Sequence, residues 1–306
     1  MSYFREKKIS KLEERFLASL NQPNEYSEQA SEEDLNELFN QIMTNGMHGL
    51  CFSMYEEGQE PGDYISEKQV LRRMKILQPH IQWIRSFSCI EGNEFVPKVA
   101  KNLGIKTLVG AWLSDDLEKN KEEIEALIKL ANEGKVDIAA VGNEVLYRKE
   151  LELEQLLAYM KEVREKIPSH IPIGYVDAYY EFSRHPELVE NSDVILANCY
   201  PFWEKCPFDY SLAHMQQMYG QALSASKGKK VIITETGWPS KGQTDNASQP
   251  SKENALKYLI NAQLWSKNAG IEMFYFSSFD ESWKVGAEGN VGAYWGIWDK
   301  NENLKF

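Results

Sequence analysis

From residue 47 onward, short apolar runs alternate with stretches in which apolar residues recur at helical spacing. The runs are rich in β-branched and aromatic residues and span residues 47–54, 82–89, 106–113, 136–143, 172–178, 193–200, 230–236 and 271–279. Near-continuous apolar strands separated by amphipathic helices are typical of a parallel sheet that helices cover on its faces. Eight such units predict an α/β fold of the (β/α)8 type, the TIM barrel.

The stretches between the runs contain recognisable helix starts. Ser66 with Gln69, and Asp115 with Glu118, have the spacing of a capping box, and residues 153–163 repeat apolar side chains at helical intervals. No helix of this kind follows the eighth run, where residues are rich in glycine and aromatic side chains. We therefore expect an N-terminal helix to occupy the empty place on the barrel wall between strands 8 and 1.

The N-terminal region, residues 1–46, is charged and helical in pattern. Leu12, Phe16 and Leu20 share one helical face, and a second helix is predicted to begin at Ser31, with Asp34 in the position of a capping box. We predict that residues 1–46 are a helical extension packed on the barrel and that residues 47–306 form a single catalytic barrel. The length fits, because such barrels commonly need about 250 residues.

Charge and hydropathy exclude several kinds of partner. The net charge is −12, so long-range repulsion opposes binding to nucleic acid or to an anionic membrane surface. No segment approaches the roughly 20 apolar residues of a membrane-spanning helix, and no apolar run follows the charged N-terminus as in a signal peptide. We expect a cytoplasmic monomer, with export by another route left open.

Cysteine and histidine positions argue against a metal centre. Cys51, Cys89, Cys199 and Cys206 have no zinc-motif spacing, and the first three fall inside predicted strands, which favours buried reduced thiols. Cys199 and Cys206 would close a small loop if the protein were exported. The five histidines are scattered, with no pair at ligand spacing. We predict no metal and no cofactor.

Functional groups of a (β/α)8 barrel stand at the carboxyl ends of its strands. Two glutamates occur there: Glu144 follows the apolar fourth run, and Glu235 follows the apolar seventh run. A carboxylate that ends an apolar strand is unfavourable unless it has partners or a function. One such glutamate alone would fit a structural ion pair. Two of them, on strands that lie across the barrel mouth, predict a pair that faces one substrate bond.

The segments around these glutamates resemble glycoside hydrolase family 17, the β-1,3-glucanases of plants, fungi and bacteria. Residues 141–144 (Val-Gly-Asn-Glu) and 233–240 (Ile-Thr-Glu-Thr-Gly-Trp-Pro-Ser) are similar to its two signatures, and residues 279–284 (Phe-Asp-Glu-Ser-Trp-Lys) to its strand-8 motif. The resemblance covers residues 47–306. The short loop 201–210 is similar to compact microbial members, and implies a shallower cleft than in plant members.

The resemblance implies a (β/α)8 barrel, retention of anomeric configuration, Glu144 as acid/base and Glu235 as nucleophile. Retaining enzymes hold their two carboxyl groups about 5–5.5 Å apart. We predict that hydrogen bonds from Tyr200 and a backbone amide keep Glu235 ionised. The charge of Glu235 then raises the pKa of Glu144, which keeps a proton available for the leaving oxygen.

The remaining candidates would bind sugar. We predict that Asn143 bonds the 2-hydroxyl, that Trp283 stacks on the sugar beside the cleaved bond, and that Glu281 and Lys284 form an ion pair in the same wall, as the family pattern suggests. The alternatives are a loop-fixing amide, core packing and an ordinary surface pair. Further candidates at the strand ends are Tyr55, Trp112, Asp177, Tyr179 and Trp203.

These features predict a retaining glycoside hydrolase that cleaves β-1,3-glucosidic bonds of β-glucan or its oligosaccharides by double displacement. Three alternatives stay open. A β-1,3-glucanosyltransferase would use the same glycosyl-enzyme with a sugar as acceptor, and a non-catalytic glucan-binding barrel would release no product. A metal-dependent barrel enzyme would need convergent histidines, which the sequence lacks.

Overall fold

Eight parallel strands close into a barrel in chain order, and β8 pairs with β1. The structure is a computed structural model that describes residues 30–306. The strands are β1 Met47–Cys51, β2 Ile81–Ser86, β3 Lys106–Ala111, β4 Ile138–Asn143, β5 Ile173–Ala178, β6 Val194–Asn198, β7 Lys230–Thr236 and β8 Met273–Tyr275. The predicted (β/α)8 barrel is confirmed.

Helices cover the outside of the barrel. They are α1 Glu32–Asn45, α2 Glu67–Leu77, α3 Phe95–Asn102, α4 Leu117–Asn132, α5 Leu153–Lys166, α6 Glu181–Arg184, α7 Pro186–Asn191, α8 Ser211–Ala225, α9 Lys252–Ala269 and α10 Val285–Glu288. Short 3₁₀ helices cover Gln78–His80, Phe208–Tyr210, Ser282–Lys284 and Gly289–Tyr294. Consecutive strands are therefore joined by connections that contain a helix, as parallel neighbours in a barrel require.

The strands are buried on both faces, because their side chains alternate between the barrel interior and the helical layer. Val231, Ile232 and Ile233 of β7 are all buried, and the same holds for every residue of β4. The last strand is much shorter than the predicted run 271–279. After Tyr275 the amides of Phe276 and Ser278 still bond the carbonyls of Thr236 and Cys51, but Ser277 donates to the carbonyl of Trp295 at 3.0 Å. The eighth run thus continues along the barrel in irregular form and also bonds the C-terminal segment.

Side-chain caps begin several of the long helices, among them α1, α2, α4 and α9. The capping box of Ser31 and Asp34 is present, and the hydroxyl of Ser66 accepts from the amide of Gln69. The predicted cap of α4 is wrong by one residue. Asp116, and not Asp115, accepts from the amide of Lys119 at 3.1 Å. The helix begins at Leu117, so Asp116 is the residue directly before it and occupies the N-cap position.

Helix α1 packs on the barrel wall against α9 and against the 3₁₀ helix that precedes β2. Its apolar face is buried, and the ring of Phe39 meets Phe306 edge to face at 5.5 Å. It lies where the helix after the last strand of a regular barrel would lie. The predicted helical face of Leu12, Phe16 and Leu20 lies outside the described residues, and the domain boundary at residue 47 stays a prediction.

The four cysteines are free thiols, and three of them are buried. Cys51 ends β1, whereas Cys89 and Cys199 lie beyond the ends of β2 and β6, so two of the three predicted strand positions are wrong. Within residues 30–306, no helix has the length and apolar character that crossing a membrane requires. Across the same residues, no three His, Cys, Asp or Glu side chains form a group that would hold a metal ion.

We expect Phe39→Ala to destabilise the protein by about 3–5 kcal/mol, because a fully buried ring would be removed from the contact between α1 and the barrel. The measurement is chemical denaturation followed by circular dichroism. Asn40→Ala, on the exposed face of the same helix, is the control and should change stability by less than about 0.5 kcal/mol. Equal stability of the two variants would show that α1 adds little to the fold.

Candidate active site

An open cleft of about 460 Å³ lies at the carboxyl ends of β4 to β8 and contains both predicted glutamates. Its floor comes from strand ends, and its walls come from the loops that follow them. The lining residues are Glu144, Tyr147, Ala178, Tyr179, Tyr180, Asn198, Tyr200, Trp203, Glu204, Glu235, Phe276, Ala287 and Glu288. This end of the barrel is where barrel enzymes place their chemistry.

The two glutamates lie side by side. Glu144 directly follows β4, and Glu235 is the penultimate residue of β7. The side-chain amide nitrogen of Asn198 donates to Oε1 of Glu144 at 2.8 Å and to Oε1 of Glu235 at 3.1 Å. A donor shared in this way keeps the two oxygens within about 6 Å of each other, which is compatible with the carboxyl spacing of retaining glycosidases.

Glu144 occupies a backbone conformation that few residues adopt. Its φ is +52°, in the left-handed region, and its amide donates to the carbonyl of Val176 at 2.8 Å. Such outliers persist where the surrounding structure holds them, often at functional sites. Burial, and then the charge of Glu235, raise the pKa of Glu144 to about 7, while the hydrogen bond from Asn198 acts in the opposite direction. Glu144 can therefore hold a proton near neutral pH.

Glu235 is surrounded by hydrogen-bond donors. Its Oε1 accepts from Nη1 of Arg85 at 2.7 Å and from Asn198, and its Oε2 accepts from the hydroxyl of Tyr200 at 2.8 Å. Only 6% of the residue is exposed. The predicted bond from Tyr200 is present, whereas a guanidinium and a side-chain amide take the place of the predicted backbone amide. Three donors, one of them charged, satisfy the oxygens of this buried carboxylate.

Arg85 connects the nucleophile candidate to Asn143. Its Nη2 donates to Oδ1 of Asn143 at 2.6 Å, and its guanidinium lies 4.2 Å from the ring centre of Phe87. The side chain is almost fully buried, so its charge needs the partner that Glu235 supplies. Asn143 uses its carbonyl oxygen here and keeps its NH₂ group as a donor. Its contact with a sugar 2-hydroxyl stays a prediction.

The Gly-Trp-Pro segment at residues 237–239 has a structural role. A Cβ at Gly237 would lie 2.1 Å from the carbonyl oxygen of Phe276, so only glycine fits between β7 and the end of β8. Trp238 is buried against Phe202, with ring centres 5.2 Å apart, and its indole N–H donates to the carbonyl of Gln249. These residues hold the strand that carries Glu235 and do not line the cleft.

The aromatic candidates fall into two groups. Tyr179 and Trp203 line the cleft beside Tyr200. Tyr55 and Trp283 instead pack edge to face at 5.8 Å, and neither is among the described residues that line the cleft. Trp112 also lies outside it, with the guanidinium of Arg148 at 4.4 Å from its ring. Sugar contacts by Tyr55, Trp283 and Trp112 stay predictions.

Three further predicted site residues, Asp177, Glu281 and Lys284, are not among the described residues that line the cleft. Asp177 is fully buried, where it accepts from the hydroxyl of Tyr175 and from the amide of Ala178, so it supports the strand end. Glu281 and Lys284 do form the predicted ion pair, at 2.8 Å, but both are buried behind the cleft wall. The pair supports the wall through Phe276, whose ring centre lies 4.2 Å from Nζ of Lys284.

The sequence analysis did not single out Arg85, Asn198 or Glu288 as site residues. Asn198 is the polar end of an apolar strand, but the predicted run extended two residues further and drew attention to Tyr200 instead. Glu288 is a further carboxylate that lines the cleft, beside Glu144, Glu204 and Glu235, and burial raises its pKa to about 7. It lies on a four-residue helix in a segment without periodicity, so no sequence pattern marks it.

A model of the BtgE/BtgC glycoside hydrolase domain matches residues 49–296 of the chain. The chain belongs to this glycoside hydrolase family. It is 27% identical to glucan 1,3-beta-glucosidase BGL2 of Candida albicans, over 76% of this chain and 83% of that protein. It is 31% identical to a glucan 1,3-beta-glucosidase of Arthroderma benhamiae, over 75% and 80% of the two chains.

Solved structures agree with this assignment. The β-1,3-glucanosyltransferase of Rhizomucor miehei, a member of glycoside hydrolase family 17, is 28% identical with a TM-score of 0.75, over 85% of this chain and 96% of that one. An active-site mutant of this transferase in complex with laminaritriose gives a TM-score of 0.76. A β-glucuronidase of Bacteroides uniformis, at 14% identity, shares the fold alone. The predicted resemblance to family 17 is confirmed, and the protein is a glycoside hydrolase.

The pKa of Glu144 predicts how this glycoside hydrolase responds to alkali. If Glu144 is the acid, kcat/KM should fall about tenfold for each pH unit above about 7, because Glu144 loses its proton as pH rises through its raised pKa. The measurement is kcat/KM against pH on a substrate whose leaving group needs protonation. Glu144→Gln, which keeps the shape of the side chain, should abolish this alkaline limb. A limb that survives in that variant would assign the acid role elsewhere.

Removal of the guanidinium group of Arg85 should lower the activity of the hydrolase, because this group bonds Glu235. We expect Arg85→Met to lower kcat/KM by about 100-fold or more, because the buried carboxylate of Glu235 loses its charged hydrogen-bond partner. Kinetics on an aryl glycoside measure the loss. Arg73→Met is the control, since Arg73 is equally buried but contacts neither glutamate. An equal loss of kcat/KM in the control would contradict the role given to Arg85.

Proposed function

We propose that this glycoside hydrolase cleaves β-1,3-glucosidic bonds of β-glucan or its oligosaccharides with retention of anomeric configuration. The observation that carries the proposal is the shared hydrogen bond from Asn198, which holds the carboxylates of Glu144 and Glu235 together at the floor of one cleft. Two carboxyl groups held together by one donor fit retention, because inverting enzymes keep theirs about 6.5–9.5 Å apart to leave room for a water.

The first step uses the different protonation states of the two glutamates. Glu235, ionised beside Arg85, attacks the anomeric carbon, while Glu144 gives its proton to the departing glycosidic oxygen. The bond from the anomeric carbon to the leaving oxygen breaks, and an ester bond to Glu235 forms. The raised pKa of Glu144 suits this role, because the acid must still be protonated near neutral pH.

The second step reverses the role of Glu144. Once its proton has left, the carboxylate takes a proton from a water that attacks the anomeric carbon, and the ester bond to Glu235 breaks. Tyr200 stays in contact with Oε2 of Glu235 at 2.8 Å and orients it. The sugar leaves with the configuration with which it arrived, because the anomeric carbon is inverted twice.

The choice of β-1,3-glucan rests on the relatives. Those from Candida albicans and Arthroderma benhamiae are named glucan 1,3-beta-glucosidases, and the transferase from Rhizomucor miehei has been solved with laminaritriose. The charge of the chain fits a neutral polymer, since a net charge of −12 would repel an acidic polysaccharide. Aromatic side chains in the cleft suit the flat faces of glucose rings.

Transfer of the glucosyl group to a second sugar is a further candidate function. Tyr147 and Trp203 line the cleft and expose 58% and 45% of their surface. Large aromatic rings held at the surface of a cleft offer a place where an acceptor sugar can stack before water reaches the ester. Hydrolysis and transfer share the glycosyl-enzyme and differ only in the acceptor that attacks it.

Laminari-oligosaccharides of defined length distinguish these activities. We expect wild-type protein to release shorter β-1,3-linked products, and transfer adds products longer than the substrate at high substrate concentration. Trp203→Ala should reduce the ratio of transfer to hydrolysis several-fold, because the exposed ring would no longer hold the acceptor. Chromatography with mass detection measures both. Cleavage of a β-1,4-linked oligosaccharide in preference to the β-1,3-linked one would overturn the substrate assignment.

Azide rescue tests the two roles separately. In Glu235→Ala, azide should replace the missing nucleophile and give an α-glycosyl azide from an activated aryl β-glycoside. In Glu144→Ala, azide should attack the glycosyl-enzyme and give the β-glycosyl azide. Nuclear magnetic resonance of the anomeric proton distinguishes the two products. An exchange of the two outcomes would reverse the roles, and no azide adduct from either variant would contradict the double displacement.

A further inference from the structure

Asn198 contacts both glutamates, and its orientation is set by a fourth residue. Its Oδ1 accepts from the hydroxyl of Thr234 at 2.8 Å, so its NH₂ group points to Glu144 and Glu235. The assignment is chemically determined, since an ionised carboxylate accepts hydrogen bonds and only the amide nitrogen can donate them. The residue is 3% exposed, so water does not replace these contacts.

A register shift between β6 and β7 brings Asn198 to this place. Ala197 pairs with Ile233, but the next residue, Asn198, pairs with Glu235, so β7 has one extra residue here. Such bulges re-aim side chains and are common beside active sites. The amide of Cys199 then donates to the carbonyl of Glu235 at 2.9 Å and secures the pairing. In an unshifted ladder Asn198 would lie opposite Thr234.

We propose that Asn198 is a positioning residue that stabilises whichever of the two glutamates carries the negative charge during turnover. The inference rests on the proposed function. In the free enzyme the charge is on Glu235. After the ester to Glu235 has formed and the proton of Glu144 has left with the departing alcohol, the charge is on Glu144. One amide already donates to both carboxylates, so the charge changes place without any movement of a side chain.

The other hydrogen-bond donors of the site cannot stabilise both glutamates in this way. Arg85 and Tyr200 both bond Glu235, and neither bonds Glu144. Within the described part of the chain, the carboxylate of Glu144 accepts its hydrogen bond from Asn198. When Glu235 becomes an ester, its own donors no longer face a charge. The basic form of Glu144 then depends on one N–H of Asn198.

Other charges around the pair come from every neighbouring strand end. The charge of Arg85 on β2 lowers the pKa of Glu144, whereas that of Asp177 on β5 raises it. The thiol of Cys51 on β1 has its pKa raised to about 12 and stays neutral. The groups that face Glu235 from beyond β6 and β8 are Tyr200, Lys284 and Glu288. None of these groups bonds both carboxylates, so among them the direct contact with both glutamates is made by Asn198.

Asn198→Leu tests the inference, because leucine has a similar volume and no N–H group. Loss of a donor to an ionised carboxylate raises its pKa, so both limbs of kcat/KM against pH should move to higher pH by about one unit. Loss of a merely structural residue would lower the rate and leave the limbs in place. Limbs at wild-type positions in this variant would overturn the proposal.

The second step gives an independent readout. With a dinitrophenyl β-glycoside the leaving group needs no proton, so hydrolysis of the glycosyl-enzyme limits kcat. The acid limb of kcat then reports the pKa of Glu144 in the intermediate, and it should move to higher pH by about one unit in Asn198→Leu. An unmoved limb would mean that Asn198 acts on Glu235 alone, which contradicts the proposal.

Two further variants serve as a control and as a substitute for Asn198→Leu. Thr236→Val is the control, since the hydroxyl of Thr236 bonds Tyr258 and contacts neither glutamate; its limbs should stay in place. If Asn198→Leu fails to fold, as judged by its melting temperature, Asn198→Asp keeps the shape and should move both limbs upward, whereas unmoved limbs would overturn the proposal. The limbs can be followed on any aryl glycoside that the enzyme cleaves, so a wrong substrate assignment would be recognised separately.

Discussion

The structure of the site depends on one buried negative charge, that of Glu235. A carboxylate with so little exposed surface is unfavourable by several kcal/mol unless charged and polar partners compensate. Arg85 supplies the opposite charge at 2.7 Å, and Tyr200 and Asn198 satisfy the remaining lone pairs. The same charge contributes to the raised pKa of Glu144. Two chemically identical side chains thus acquire different protonation states from their surroundings, which is the condition for acid catalysis beside a nucleophile.

The barrel is what holds these groups rigid. Each of them lies at or just beyond the end of a strand that is buried on both faces, so main-chain positions are fixed by the ladder and by the helices outside. Two backbone irregularities orient the side chains: the left-handed conformation of Glu144 and the register shift that places Asn198 opposite Glu235. The close approach at Gly237 lets the end of β8 bring Phe276 into the cleft. Local departures from regular structure therefore occur where the chemistry is concentrated.

Much of the fold and part of the site could be predicted from residue order. The alternation of apolar strands and amphipathic helices predicted the barrel, and Glu144 and Glu235 stood out because each ends an apolar strand. The differences between the predicted and the observed positions have physical causes. Asp177 occupies a strand end as those glutamates do, but its neighbour Tyr175 satisfies it in the interior. The predicted sixth strand was too long, so the strand-end position of Asn198 was overlooked, and Glu288 follows no periodic pattern.

The sequence by itself determined the eight alternating strand and helix units, the family and the two glutamates. Hydrophobic periodicity and short motifs are local properties of the chain. Only the tertiary structure decided which donors surround them. Arg85, Asn198 and Glu235 come from three separate strands, and their contact depends on barrel closure and on a one-residue register shift. Hydrogen bonds and pKa shifts follow from distances of about 3 Å and from burial, and neither can be read along a chain before distant segments have been brought together.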